Sequence, residues 1–129
     1  MKERHEHSLM KALGIEITEV SADHVCGTMP VDERTHQYYG MLHGGASVAL
    51  AETLSSCAAS LHVNSDTHMV VGLEINANHI KSMTSGTVYG EAHPVHIGKK
   101  TQVWQIELRN EKKELICSSR STIAVIEKK

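Results

Sequence analysis

The chain has no phenylalanine, one tryptophan and three tyrosines, so aromatic residues make up only 3% of its 129 positions. Leucine, valine, isoleucine and methionine must fill whatever core it builds. There are two prolines and no proline-, glycine- or serine-rich tract, so nothing reads as a linker between domains. Cysteine is scarce as well. Cys26, Cys57 and Cys117 are scattered and odd in number, which fits neither a disulfide framework nor a zinc knuckle and points to a reducing cytoplasm. Basic charge is not in excess: 13 Lys and Arg against 15 Asp and Glu give a net charge of -2 with histidine neutral, which argues against a nucleic-acid partner. No apolar run is long enough and clean enough to span a membrane. The opening MKERHEHS is charged, unlike a signal peptide.

What is present suits one compact domain, 1–129, with 40% apolar and 22% charged residues. Histidine is abundant, at ten. His93-x-x-His96 is the best metal-like pair, but no carboxylate or cysteine stands at zinc-like spacing beside it, and no metal is expected. The first ten residues are polar and read as a helical turn or a loose arm.

Leu13, Ile15 and Ile17 alternate with Gly14, Glu16 and Thr18, which predicts a strand from Leu13 to Val20. Ser21-Ala22-Asp23 is a turn, His24 to Val31 the partner strand, and Asp32 to Tyr39 a polar loop. Then comes GMLHGGASVALAETLSSCAASLH, Gly40 to His62, in which Leu50, Leu54, Cys57, Ala58 and Leu61 form one apolar stripe at helical spacing. Strands are predicted over Thr67–Asn76, Gly86–Ile97, Thr101–Asn110 and Leu115–Ile126, the last three as an antiparallel meander. Two strands, one long helix and four strands make an α+β arrangement in which one sheet covers one helix.

Between His43 and His62, Glu52 is the one formally charged side chain. It lies about 200° around the helix from Leu54 at ~100° per residue, on a face with Gly45, Ala49, Ser56 and Ala59. A solvated helix face normally carries several charges. Small residues instead admit another backbone, so this face is expected to meet protein, from the same chain or from a second subunit. A carboxylate desolvated there is a better base or nucleophile. At the helix start, His43-Gly44-Gly45 offers unpaired N–H groups and close backbone access, a setting that stabilises an oxyanion. Gly44 and Glu52 are about 12 Å apart along the helix at ~1.5 Å per residue. If both act on one carbonyl, they must come from different subunits, as in a two-fold dimer with antiparallel helices.

These residues bear a family resemblance. Gln37-Tyr38-Tyr39-Gly40-Met41-Leu42-His43-Gly44-Gly45-Ala46-Ser47, followed by Leu50-Ala51-Glu52, resembles the hotdog-fold acyl-CoA thioesterases. Val71-Gly72-Leu73-Glu74-Ile75-Asn76-Ala77-Asn78-His79, His96-Ile97-Gly98 and Gln102-Val103-Trp104 agree, so the resemblance covers nearly the whole chain. The branch it is most similar to holds the 1,4-dihydroxy-2-naphthoyl-CoA thioesterases of menaquinone synthesis and the proofreading thioesterase of enterobactin synthesis. The 4-hydroxybenzoyl-CoA thioesterases with a helix glutamate are wider relatives.

The resemblance implies a curved antiparallel sheet wrapped around one helix, paired into homodimers and then homotetramers. It implies hydrolysis of an aromatic acyl-CoA without a cofactor, CoA being part of the substrate and product. Glu52 matches the residue that attacks the thioester or activates water, and Gly44 the backbone N–H that polarises its carbonyl. Gln37 and His43 match groups that orient thioester or water, and Ser56 one that helps place the nucleophile. Gly72 matches the edge along which the pantetheine arm lies, with His79 and Ser82 near the acyl pocket or that arm. His96, Gly98, Lys99, Lys100 and Arg120 match the CoA side, the three basic residues suiting its phosphates. Tyr38 and Tyr39 stand where relatives often carry Pro and Phe, which reshapes the acyl pocket. The alternatives are a non-catalytic CoA or acyl-thioester sensor, which would need neither Glu52 nor Gln37, and a hydroxyacyl-thioester dehydratase, whose usual His and acid pair is missing.

Overall fold

The computed structural model describes residues 7–129. Its elements are α1 (Leu9–Leu13), β1 (Glu16–Val20), β2 (Val25–Pro30), α2 (Gly44–Ser60), β3 (His68–His79), β4 (Thr87–Ile97), β5 (Thr101–Arg109) and β6 (Leu115–Glu127). The polar arm expected at the N-terminus lies, for residues 1–6, outside the described residues.

The strand predicted from Leu13 begins only at Glu16. Ser8 Oγ accepts the Lys11 N–H and starts α1, and Gly14, at φ +74°, closes it with its own N–H on the Lys11 carbonyl. Capping at both ends overrides a short alternation, because a serine start and a left-handed glycine stop satisfy the groups a helix leaves open. The other predicted strands are found within a few residues of their expected ends, with β3 running on to His79.

One six-stranded sheet runs β1-β2-β4-β5-β6-β3, with every pairing antiparallel. The meander β4-β5-β6 is as expected, and β1 and β3 form the two edges. Helix α2 lies across one face of the sheet. Leu50, Leu54 and Ala58 are fully buried there among Val88, Trp104, Ile106, Leu108 and Ile123. Strand β5 shows the pleat directly: Gln102, Trp104, Ile106 and Leu108 point inward, and the residues between them do not. Burying Gln102 would be costly if its amide were unpaired. It is paired: Nε2 donates to the Ala59 carbonyl at 3.3 Å, and Oε1 accepts from Trp104 Nε1 at 2.8 Å.

Two members of the predicted helix faces are placed differently. Leu61, read as the end of the apolar stripe, is the C-cap and exposed. Ala59, grouped with Glu52, is fully buried, because the sheet wraps far enough round α2 to cover it. No helix among the described residues is long and apolar enough to cross a membrane.

Candidate active site

The helix start is organised by one side chain. His43 is the N-cap of α2. Its Nδ1 accepts the Gly45 N–H at 2.8 Å, and its carbonyl accepts the N–H groups of Ala46 at 3.0 Å and Ser47 at 3.2 Å. The Gly44 N–H, by contrast, has no acceptor among the described residues. Of the donors a helix leaves open at its start, His43 closes those that follow and leaves this one facing out, at the positive end of the dipole. The sequence expectation gave His43 a role toward thioester or water. Its Nδ1 holds the helix cap.

Gln37, Gly44, His79 and Ser82 line one cleft of about 350 Å³ at this end of α2. The loop that presents Gln37 is tied from within. Thr35 is buried, donates through Oγ1 to the Pro30 carbonyl at 2.7 Å, and accepts the His43 N–H at its own carbonyl at 2.8 Å. Gln37 Oε1 accepts the backbone N–H groups of Tyr39 and Met41. With its oxygen so engaged, the Gln37 side chain offers its NH₂ as a donor. His79, at the end of β3, stands over the helix start: a Cβ on Gly44 would lie 2.9 Å from its Nε2. A side chain at that position would have to displace the ring.

Glu52 and Ser56 are not in this cleft. They line a second groove of about 670 Å³ with Ala49, Thr53, Cys57 and the side chains of α1 and β1. The Glu52 carboxylate reaches toward the edge strand, and a Cβ on Gly72 would meet its Oε1 at 3.1 Å. Within one chain Glu52 is exposed, which corrects the expectation of a desolvated carboxylate so far as this chain's own elements are concerned. Among the described residues, the groove on the Glu52 side of α2 is bordered by Leu9 and Met10 of α1 and Ile17 of β1, with Gly72 of β3 at the carboxylate. Cys57 is the other nucleophilic side chain in the groove. Burial pushes its thiol above the ordinary cysteine value, which disfavours the thiolate.

The residues matched to CoA separate too. Gly98 and Lys99 line a cleft of about 570 Å³ with His62, Asn64, Thr67 and His68, beyond the C-terminal end of α2. Lys100 is exposed on the same turn, and the His96 ring packs against Gly98. Arg120 is not brought to this cleft. It projects from β6 between the inward-facing Ser119 and Ser121 and donates through Nε to Gln105 Oε1 at 3.4 Å.

Sequence reasoning missed Met41, Ser47 and Ile116 in the first cleft, and the contribution of α1 to the second. Ser8 and Gly14, six residues apart, were the available signal for α1. None of the candidate residues falls in a group of three metal donors. Among the described residues the one such group is Glu19, His24 and Cys26, elsewhere on the sheet.

Comparison with known proteins gives the family. The thioesterase superfamily profile matches residues 39–117. The 1,4-dihydroxy-2-naphthoyl-CoA hydrolase of Escherichia coli is 48% identical over 121 residues, covering 94% of this chain and 88% of that protein. The proofreading thioesterase EntH of Cronobacter turicensis is 46% identical over 119 residues, covering 92% and 86%. Among solved structures, a mutant of thioesterase PA1618 from Pseudomonas aeruginosa superposes with a TM-score of 0.95 at 40% identity, covering 98% of this chain and 91% of that one.

Proposed function

The chain belongs to the thioesterase superfamily, has its hotdog fold and is a thioester hydrolase, and from that premise we propose that it hydrolyses an aromatic acyl-CoA in a site shared between two copies of the chain. The observation that carries this reading is the Gly44 N–H, the one donor that His43 leaves open at the start of α2. A thioester carbonyl placed over it would gain a hydrogen bond as negative charge develops on oxygen, the interaction that most lowers such a barrier. Gln37 and His79 stand at the same cleft to orient the thioester.

Glu52 supplies the other half from the partner subunit. Its carboxylate either takes a proton from water, whose oxygen then bonds to the carbonyl carbon, or bonds to that carbon itself. In both routes the C–S bond breaks, and CoA leaves as a thiolate that takes up a proton. In the second, water cleaves the resulting anhydride. Ser56, one turn on, helps place the carboxylate. Neither route calls for a metal or a further cofactor, since the chain supplies base and donor. Single-turnover reaction in ¹⁸O-water tests the anhydride: label in Glu52 marks it, and label confined to the product acid favours the base or an anhydride opened at its acyl carbon.

Pairing is supported by the free edge of β3, which exposes Met69, Val71 and Leu73. An unpaired apolar edge is a strand-pairing surface. A two-fold partner on that edge would bring its Glu52 to the Gly44 cleft, and two such dimers would form the tetramer. Lys99 and Lys100 suit the CoA phosphates. The naphthoyl substrate in the name of the Escherichia coli relative supports an aromatic acyl group and a place in quinone synthesis of the menaquinone type.

The test is steady-state hydrolysis of benzoyl, hydroxybenzoyl, hydroxynaphthoyl, phenylacetyl and aliphatic CoA thioesters by wild type and Glu52→Ala. Aromatic preference with a loss of about a thousandfold in kcat for Glu52→Ala is expected. Equal turnover by the variant, or preference for aliphatic chains, overturns the reading.

A further inference from the structure

The face of the sheet turned away from α2 carries a second cluster of chemically capable side chains. Glu19 on β1 stands across from Cys26 on β2, and Cys26 across from Glu91 on β4. His24, just before β2, and His93 on β4 form the next row, their ring centroids 6.1 Å apart. The donor atoms of Glu19, His24 and Cys26 all lie within 4.8 Å of one another. Glu19 Oε1 is 3.1 Å from His24 Nε2, and Glu91 Oε1 is 2.5 Å from His93 Nε2.

Two features of the backbone build this cluster. In a regular strand Glu19 would share the inward face with Ile17. The register shifts between Ile17 and Glu19, so an extra residue turns Glu19 onto the face of Cys26. The tight turn at residues 21–24 then fixes His24. The Ser21 N–H donates to the His24 carbonyl at 2.9 Å, and Ser21 Oγ lies 3.1 Å from His24 Nδ1. One ring nitrogen is thus held from behind while the other faces Glu19. Histidines that bind metal are oriented in this way by a partner on the distal nitrogen.

We propose that Glu19, His24 and Cys26, with His93 or Glu91 as a fourth donor, bind a borderline-soft divalent cation of the zinc class. Sulfur, imidazole nitrogen and carboxylate oxygen together suit zinc or cobalt. Calcium and magnesium require oxygen ligands throughout. Donors at ~2.0–2.3 Å from a tetrahedral zinc sit roughly 3.3–3.8 Å apart, so rotamer shifts of about 1 Å close the set. The bound ion neutralises Glu19 and pins the edge strand β1 to β2 and β4. The histidine singled out in the sequence as half of a His93–His96 pair joins this site without His96.

The test is titration of the chelator-stripped full-length protein with Zn²⁺ against a competing chromophoric chelator, and with Co²⁺ by absorbance. One ion per chain and a thiolate-to-cobalt charge-transfer band in the near ultraviolet are expected. Cys26→Ser should abolish the band, His24→Gln should remove the stoichiometric binding, and Ser21→Ala should weaken it about tenfold. Circular dichroism reports whether each variant is folded. If Cys26→Ser does not fold, the wild-type band and His24→Gln decide. No band, or equal affinity in wild type and His24→Gln, overturns the proposal. Zinc held by the histidines near the N-terminus would survive both substitutions and would count against it.

Discussion

Glu52 Oε1 stands 3.1 Å from the position a Cβ would take on Gly72, so the edge strand β3 and the helix carboxylate are fitted to each other across the open side of α2. Gly72→Ala would push the carboxylate aside by a few tenths of an ångström. Misplacing a reacting group by 1 Å costs about a hundredfold, so a fall in kcat of roughly tenfold or less is expected, with KM little changed. A rise in KM with kcat intact would instead place Gly72 with substrate binding alone.

The proposed sharing of sites between two copies makes a clear prediction for mixtures. Glu52→Ala and Gln37→Ala each impair both sites of a homodimer. A dimer with one copy of each has one site bearing both lesions and one bearing neither. Co-expressed at equal levels, the variants should recover about a quarter of wild-type activity, since half the dimers are mixed and half their sites intact. Assay of the mixed dimers, isolated through two different tags, checks this. Activity no higher than that of the separate variants would show that each site lies within one chain.

Gly44→Ala should drive a Cβ into His79 Nε2, which it would meet at 2.9 Å. A loss of up to about a hundredfold in kcat is expected, the size of removing one oxyanion donor, because the ring or the helix start must shift. In a His79→Ala background the same change should cost much less. The measured coupling of the pair in a double-mutant cycle distinguishes a clash from loss of the glycine alone.

Alkaline pH should act through Cys26. Burial, then Glu91 and Glu19, push this thiol from 9.0 up to about 11. The folded chain therefore holds the thiol proton more tightly than the unfolded chain. The stability this carries is complete below pH 9 and is lost as pH rises from 9.0 to about 11. Denaturant melts of the chelator-stripped protein should show a decline over that window that Cys26→Ser lacks. Parallel declines would assign the alkaline loss to other groups.

The parts of this molecule legible in its sequence are those set by short-range periodicity. Leu50, Leu54 and Ala58 repeat at helical spacing and are buried as expected, and the alternation of Trp104, Ile106 and Leu108 marks a strand with one face inward. Glu52 stood out because nothing of its charge surrounds it, and Gly44 because a glycine at a helix start exposes backbone. What the sequence does not carry is register. Only the register shows that Arg120, matched to the CoA phosphates, stands opposite Gln105 and apart from the Gly98 and Lys99 cleft. Glu19 and Cys26 meet only because a bulge shifts one strand by a residue, and no local pattern announces it. Ala59 looked like a companion of Glu52 because helical angle fixes direction but not how far the sheet curls round.

The cap made by His43 has a consequence for how tightly different molecules are held. On the proposed reading, the Gly44 donor is aimed before substrate arrives, because His43 completes the helix start from within the protein. Nothing must be ordered when the tetrahedral species forms, so the gain from that bond goes wholly to the barrier rather than to arranging the loop. The neutral thioester carbonyl and the product acid draw less from it than a negatively charged oxygen does. Inhibitors that carry such an oxygen on a stable tetrahedral centre should therefore exceed any ground-state analogue with the same acyl group, and the margin between them measures how rigidly one histidine holds one helix.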